Sequence, residues 1–136
     1  MGFEYLAYQG LETGHRDVAT HVVRNGNVIF AFSSPLNPSG HEEFAKHLEK
    51  HGDGVKDIAF TVDDATGIFN KAVGRGATAV KEPKTVSDEF GSIILSTVRT
   101  YGDTTHTFVQ RVDYKGVFLP GFKKHHLEEP FNKLIP

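Results

Sequence analysis

Residues 54–76 read GVKDIAFTVDDATGIFNKAVGRG. Val55, Ile58 and Phe60 form a short apolar run, and Thr61 and Val62 extend it with β-branched side chains, which predicts a strand. Asp63 or Asp64 then offers a short carboxylate to the free N–H groups of a helical first turn. Ala65, Ile68, Phe69, Ala72 and Val73 follow at the spacing of one helix face. Gly76 adopts left-handed backbone without a Cβ clash, so it predicts the stop. Three extended runs come next, at 77–80, 92–100 and 104–111. Pro83 is predicted to end the first of them, and Glu89-Phe90-Gly91 and Tyr101-Gly102-Asp103 punctuate the three. The order is β-α-β-β-β.

Upstream, part of that order recurs. Residues 1–8, MGFEYLAY, enter an aromatic-rich strand at once, and residues 12–16 read as a loop. Residues 18–24 and 27–32 flank Asn25-Gly26, which predicts a type I′ hairpin because both turn residues tolerate positive φ. Val28, Phe30 and Phe32 fall on one face of the second strand and Ile29 and Ala31 on the other, a pattern that suits cover on both sides. Pro35, Asn37 and Pro38 break the run. Residues 39–42, SGHE, match a capping box, and a helix is predicted from there to about His51 with Phe44 and Leu48 inward. Residues 114–136 carry Pro120-Gly121, His125-His126 and Pro130 and predict an irregular tail, anchored by Phe118, Leu119, Phe122, Phe131 and Leu134.

The predicted class is α+β, one domain over 1–136. Within it, 1–34 is the remainder of a first βαβββ unit that lacks its opening strand and helix. Residues 35–54 supply a linking helix, 55–113 a second βαβββ unit, and 114–136 the tail.

Composition excludes several function classes. Fifteen basic against 17 acidic residues leave a net charge of −2, which makes no case for nucleic acid or an anionic membrane as partner. The absence of cysteine removes disulfides, thiolate nucleophiles and zinc knuckles, and suits a reducing, cytoplasmic setting. No apolar run approaches the ~20 residues of a membrane span.

Eight histidines invite a metal reading. His47 and His51 are four apart on the predicted helix, but a cation at the helix end also eases the dipole. His21 and His106 lie on predicted strands, where packing in the sheet accounts for them. His125-His126 reads as an exposed tail pair. Asp63-Asp64 is explained by capping. Ser33-Ser34 and Ser39 have no glycine elbow around them, and Gly-Lys-Ser/Thr never occurs. Residue by residue, no catalytic, cofactor-binding or metal-ligating set is assigned.

Longer wording is more specific. LAYQGLETGHRDVATHVVRNGNVIFAFSSPLNP (6–38), HLEKHGDGVKDIAFTVDD (47–64) and TYGDTTHTFVQRVDYKGVFLPGF (100–122) resemble the N-terminal half of the 4-hydroxyphenylpyruvate dioxygenase family, in a eukaryotic and fungal style. The family belongs to the vicinal oxygen chelate, or glyoxalase and bleomycin-resistance, superfamily, whose unit is βαβββ. The resemblance implies a longer parent enzyme that converts 4-hydroxyphenylpyruvate and O₂ to homogentisate and CO₂ in tyrosine and phenylalanine catabolism. It implies Fe(II) held by two histidines and a glutamate in a C-terminal half, and no iron in this chain. Alignment with the catalytic half sets Asp57 at the place of a ligand histidine and Gln110 at that of the ligand glutamate; a neutral amide is a weak iron ligand. The chain is then a non-catalytic N-terminal portion, inactive alone, whose partner is the C-terminal half. The missing opening strand and helix imply a bare face with Phe3, Tyr5, Val28, Phe30 and Phe32, hence a homo-oligomer such as a dimer. The alternative is a stand-alone glyoxalase-like module for a small ligand. It could also be a metal enzyme completed across a dimer by Glu42 and Glu43, or by His21 and His106.

Overall fold

The computed structural model describes residues 1–37 and 42–125. In chain order the elements are β1 (Glu4–Gln9), a 3-10 turn (Leu11–Thr13), β2 (Val18–Asn25), β3 (Val28–Pro35), α1 (Glu42–His51) and β4 (Asp57–Thr61). They continue with α2 (Ala65–Gly74), β5 (Thr78–Asp88), β6 (Gly91–Arg99), β7 (Thr105–Arg111) and β8 (Lys123–Lys124). Two units divide the chain: Met1–Ala45 with Val117–Pro136, and Lys46–Gly116. The predicted capping box at 39–42 and the predicted anchors Phe131 and Leu134 lie outside the described residues. α1 ends at His51 as its pattern predicts, with Phe44 and Leu48 half-buried.

The second unit is a complete βαβββ element. Its sheet has the order β4-β7-β6-β5, with β4 parallel to β7 and the other pairs antiparallel. A parallel pair needs a crossover, and this one contains α2, β5 and β6. Asp64 caps α2, its carboxylate accepting from the Gly67 N–H at 2.9 Å. At the other end Gly76 has φ 105 and donates to the Val73 carbonyl at 3.0 Å, while Ala77 donates to Ala72 at 3.0 Å. α2 packs on β5, β6 and β7 through Ala65 and Phe69, both buried. Val73, the last position of the predicted stripe, is exposed. Pro83 does not end the strand after α2. β5 continues to Asp88 with register shifts between Ala79 and Lys81 and between Lys81 and Lys84. On an edge strand, such irregularity accommodates a residue with no N–H to donate.

The first unit is an antiparallel sheet in the order β3-β2-β1-β8. Asn25 pairs with Val28, so the hairpin turn is Gly26-Asn27, one residue later than Asn25-Gly26. Gly26 has φ 58, and no described non-glycine residue has positive φ. Positive φ at the first central residue alone is the type II′ pattern, not I′, because only glycine enters that region without steric cost. The 3-10 turn, closed by Thr13 Oγ1 accepting from the Gly10 N–H at 2.9 Å, occupies the predicted loop. The tail is not wholly irregular. Lys123 pairs with Tyr8 and Lys124 with Ala7. A two-residue strand is too short to show an alternating pattern. β1, β2 and β3 repeat the antiparallel run of β5, β6 and β7. In the second unit β7 carries β4 on its outer edge; among the described residues β3 carries no strand there. Val28 to Ser34 are exposed, so the cover expected on both faces of β3 is not supplied among the described residues.

Candidate functional site

Strand parity in the second unit sorts its polar side chains onto two faces. Parallel pairing sets Asp57 beside Thr105. Asp57 Oδ1 accepts from Thr105 Oγ1 at 2.5 Å and from Thr107 Oγ1 at 2.9 Å, and Thr107 Oγ1 lies 3.0 Å from Thr97 Oγ1. This is a carboxylate embedded in hydroxyl groups. Gln110 is three residues beyond Thr107, and an odd step along a strand reverses the face. Its Oε1 accepts from the Ala65 N–H at 3.0 Å, which satisfies a free donor in the first turn of α2. Ser96, on the same face, donates to the Ala65 carbonyl at 3.1 Å.

The two positions that the resemblance aligned with iron ligands therefore do not converge. The β7 side chain that meets Asp57 is Thr107, not Gln110. Sequence reading missed it because the register of two strands separated by a crossover leaves no local signal. Asp57, a neutral hydroxyl and an amide turned to the other face do not fit an iron centre. Among the described residues, no group of three or more histidine, aspartate and glutamate side chains is placed to hold a metal ion.

The histidines divide between the units. His47 and His51 share a face of α1, with ring centroids 4.8 Å apart. His51 Nε2 lies 2.8 Å from Asp103 Oδ2, and Lys50 Nζ donates to the same oxygen at 2.7 Å. The bond from Lys50, then that from His51, holds the Asp103 carboxyl down at about 2. His47 Nε2 is buried without a hydrogen-bond partner among the described residues. His106 stacks on Phe60 at 5.9 Å with the rings 5° from parallel. His21 packs 4.9 Å from Tyr8 and 5.9 Å from His125. His125 is not an exposed tail residue: it is half-buried and stacks on Tyr5 at 4.4 Å. His126 lies outside the described residues. Glu42 and Glu43 occupy the exposed first turn of α1. Ser33 Oγ lies 2.8 Å from Thr20 Oγ1, a cross-strand hydroxyl pair.

The chain was compared with known proteins. Residues 1–120 match the family model described as "Hydroxyphenylpyruvate dioxygenase, HPPD, N-terminal". A 4-hydroxyphenylpyruvate dioxygenase from Tetrahymena thermophila is 52 % identical over 138 residues, covering 99 % of this chain and 34 % of the relative. One from the fungus Yarrowia lipolytica is 53 % identical over 124 residues, covering 90 % of this chain and 32 % of the relative. The chain thus spans about a third of the length of the curated relatives it matches. A mutant of 4-hydroxymandelate synthase from Streptomyces coelicolor superposes with a TM-score of 0.77 at 30 % identity, covering 98 % of this chain and 36 % of that one. The fold is the vicinal oxygen chelate fold. With its complete βαβββ unit and the match over residues 1–120, the chain belongs to the hydroxyphenylpyruvate dioxygenase family, within its N-terminal domain.

Proposed function

We propose that this chain is a non-catalytic N-terminal portion of a 4-hydroxyphenylpyruvate dioxygenase. In this reading the whole enzyme converts 4-hydroxyphenylpyruvate and O₂ to homogentisate and CO₂ in tyrosine catabolism, in the cytoplasm. Fe(II), which supplies oxygen activation, is held by a C-terminal half. In this reading residues 1–34 are the remainder of a first βαβββ unit and 55–113 a second, joined through the linking helix of 35–54, and 114–136 lead toward the catalytic half. The chain's own contribution is structural: it supports that half and takes part in subunit contacts.

The observation that carries the proposal is the match of residues 1–120 to the N-terminal family model. The site geometry supports a non-catalytic role. The Asp57 carboxylate is occupied by Thr105 and Thr107 hydroxyls, and Gln110 is occupied by the N-terminus of α2.

Two assays test it. The chain alone, supplied with Fe(II), ascorbate and 4-hydroxyphenylpyruvate, should form no homogentisate. Joined in frame to the C-terminal two thirds of the Tetrahymena relative, it should restore chelator-sensitive turnover. Chelator-sensitive homogentisate from the chain alone would overturn the non-catalytic reading in favour of a self-contained metal enzyme. A well-folded but inactive chimaera would remove the dioxygenase reading.

A further inference from the structure

We propose that Asn25 is a modification site: it deamidates spontaneously to aspartate and isoaspartate, and the product detaches residues 1–3 from the β2–β3 hairpin. Four of the five asparagines lie among the described residues, and the fold treats them differently. Asn37 precedes Pro38, whose ring nitrogen has no proton to lose. Asn70 lies inside α2, where the Lys71 N–H belongs to the helical ladder. Asn27 precedes Val28, which pairs with Asn25 in the sheet and crowds its own amide with a β-branched side chain. Asn25 is the last residue of β2, exposed, and followed by a glycine. The Gly26 N–H makes no hydrogen bond to a described residue, because the bond that closes such a turn belongs to the flanking residues. A Cβ built on Gly26 would meet nothing within 4 Å, so this peptide has room to turn toward the Asn25 side chain.

The step balances with water as its co-reactant. The Gly26 amide loses its proton to solvent base, and its nitrogen attacks Asn25 Cγ. The N–Cγ bond forms and the Cγ–Nδ2 bond breaks. Nδ2 takes up a proton from solvent and leaves as ammonia, and a succinimide ring remains. Water then opens the ring at either carbonyl: cleavage of N–Cγ gives aspartate, and cleavage at the main-chain carbonyl gives isoaspartate. No redox partner is needed. Either product replaces the amide by a carboxylate. Asn25 Nδ2 donates to the Met1 carbonyl at 3.1 Å, and Gly2 lies so near that a Cβ on it would sit 3.3 Å from that nitrogen. One exposed hydrogen bond of this kind, worth about 1 kcal/mol, is a weak restraint on the side chain. A carboxylate only accepts, so it cannot replace the donor and sets negative charge against the carbonyl oxygen. Isoaspartate also adds a methylene to the main chain at a turn whose length sets the hairpin register. Phe3, whose ring centroid lies 5.4 Å from that of Phe30, is the contact that then loosens. All of these residues lie in the first unit, so the proposal does not depend on the dioxygenase reading.

The test ages the full chain in buffer at neutral and at mildly alkaline pH. Proteolysis with mass spectrometry maps the converted sites, and labelling by protein isoaspartate methyltransferase counts isoaspartate. Asn25 should convert at least about tenfold faster than Asn27 or Asn70, because of the three following residues only Gly26 lacks a Cβ to block the attack. Its rate should rise with pH, since the nucleophile is the amide anion. Mapping separates this site from Asp53-Gly54, which reaches isoaspartate by loss of water. Asn25→Gln has to close a larger ring and should leave the hairpin peptide unmodified. Asn25→Asp supplies the charge of the product without ageing, and it should weaken the NMR contacts between the Phe3 and Phe30 rings. The proposal is overturned if Asn25 converts no faster than Asn27 or Asn70, or if its rate is indifferent to pH. It is overturned equally if Asn25→Asp keeps the Phe3–Phe30 contacts of the parent.

Discussion

Asp103 Oδ2 accepts from Lys50 and lies within hydrogen-bond distance of His51, so one acid between β6 and β7 is tied to the last turn of α1. Its carboxyl is held at about 2, chiefly by the Lys50 bond and then by the His51 bond, against an ordinary 3.8. A carboxyl with a depressed folded-state pKa adds stability that is fully present above its unfolded value and is lost as pH falls through the folded value. Asp103→Asn should therefore lower the melting midpoint at neutral pH. The gap between variant and parent should shrink from about pH 4 and close near pH 2. A gap that stays constant across that range would show that the pair adds no pH-linked stability. Gly26 makes a separate point about backbone. A Cβ there would meet no atom within 4 Å, so any penalty for a side chain comes from φ 58 alone. Gly26→Val should destabilise the fold by at least ~1 kcal/mol, read from denaturant midpoints. An unchanged midpoint would mean that the turn relaxes to another type.

At the scale of elements, α2 is the piece whose removal should matter most to its unit. It is short, and a helix of ten residues draws little stability from propensity alone, so its packed face has to hold it. Phe69 is 6 % exposed and Ala65 fully buried, while Ile68 is half-buried. Phe69→Ala should cost on the order of 3–5 kcal/mol, because it removes a large apolar side chain and leaves a void under the helix. Ile68→Ala should cost less. Equal losses by chemical denaturation would show that the packed stripe is centred elsewhere.

At the scale of the whole molecule, the outer edge of β3 carries no strand among the described residues. From Val28 to Pro35 that strand contains no charged residue, and Phe30 and Phe32 are 50 % and 62 % exposed in the described structure. An uncharged, apolar edge is a template for strand pairing, and natural sheets usually blunt such edges with lysine, proline or a bulge. The isolated chain is therefore expected to self-associate in the upper micromolar range, as followed by light scattering. Phe32→Lys should shift it toward monomer without loss of fold. A parent chain that stays monodisperse and monomeric at those concentrations would rule out the edge as an association surface.

Some of this was legible in the sequence because the signals are local. The stripe from Ala65 to Phe69, the Asp64 cap and the Gly76 stop each depend on neighbours within a few residues, and all three stand in the structure. The β-α-β-β-β order followed from the same kind of signal, and the family likeness rested on long continuous wording. What tertiary structure decided was pairing across distance. Proline punctuation suggested a stop at Pro83, yet edge position and two register shifts carry β5 past it. The hairpin turn moved by one residue because the β2–β3 register sets Asn25 opposite Val28. Asp57 meets Thr107, and Gln110 turns to α2, because β4 and β7 lie side by side while more than 40 residues of chain separate Asp57 from either partner. Lys123 and His125 read as tail residues until pairing with β1 places them beside Tyr8 and His21. A side chain's local surroundings are written in its neighbours along the chain. Its partner on another strand is set by register, which only the folded sheet determines.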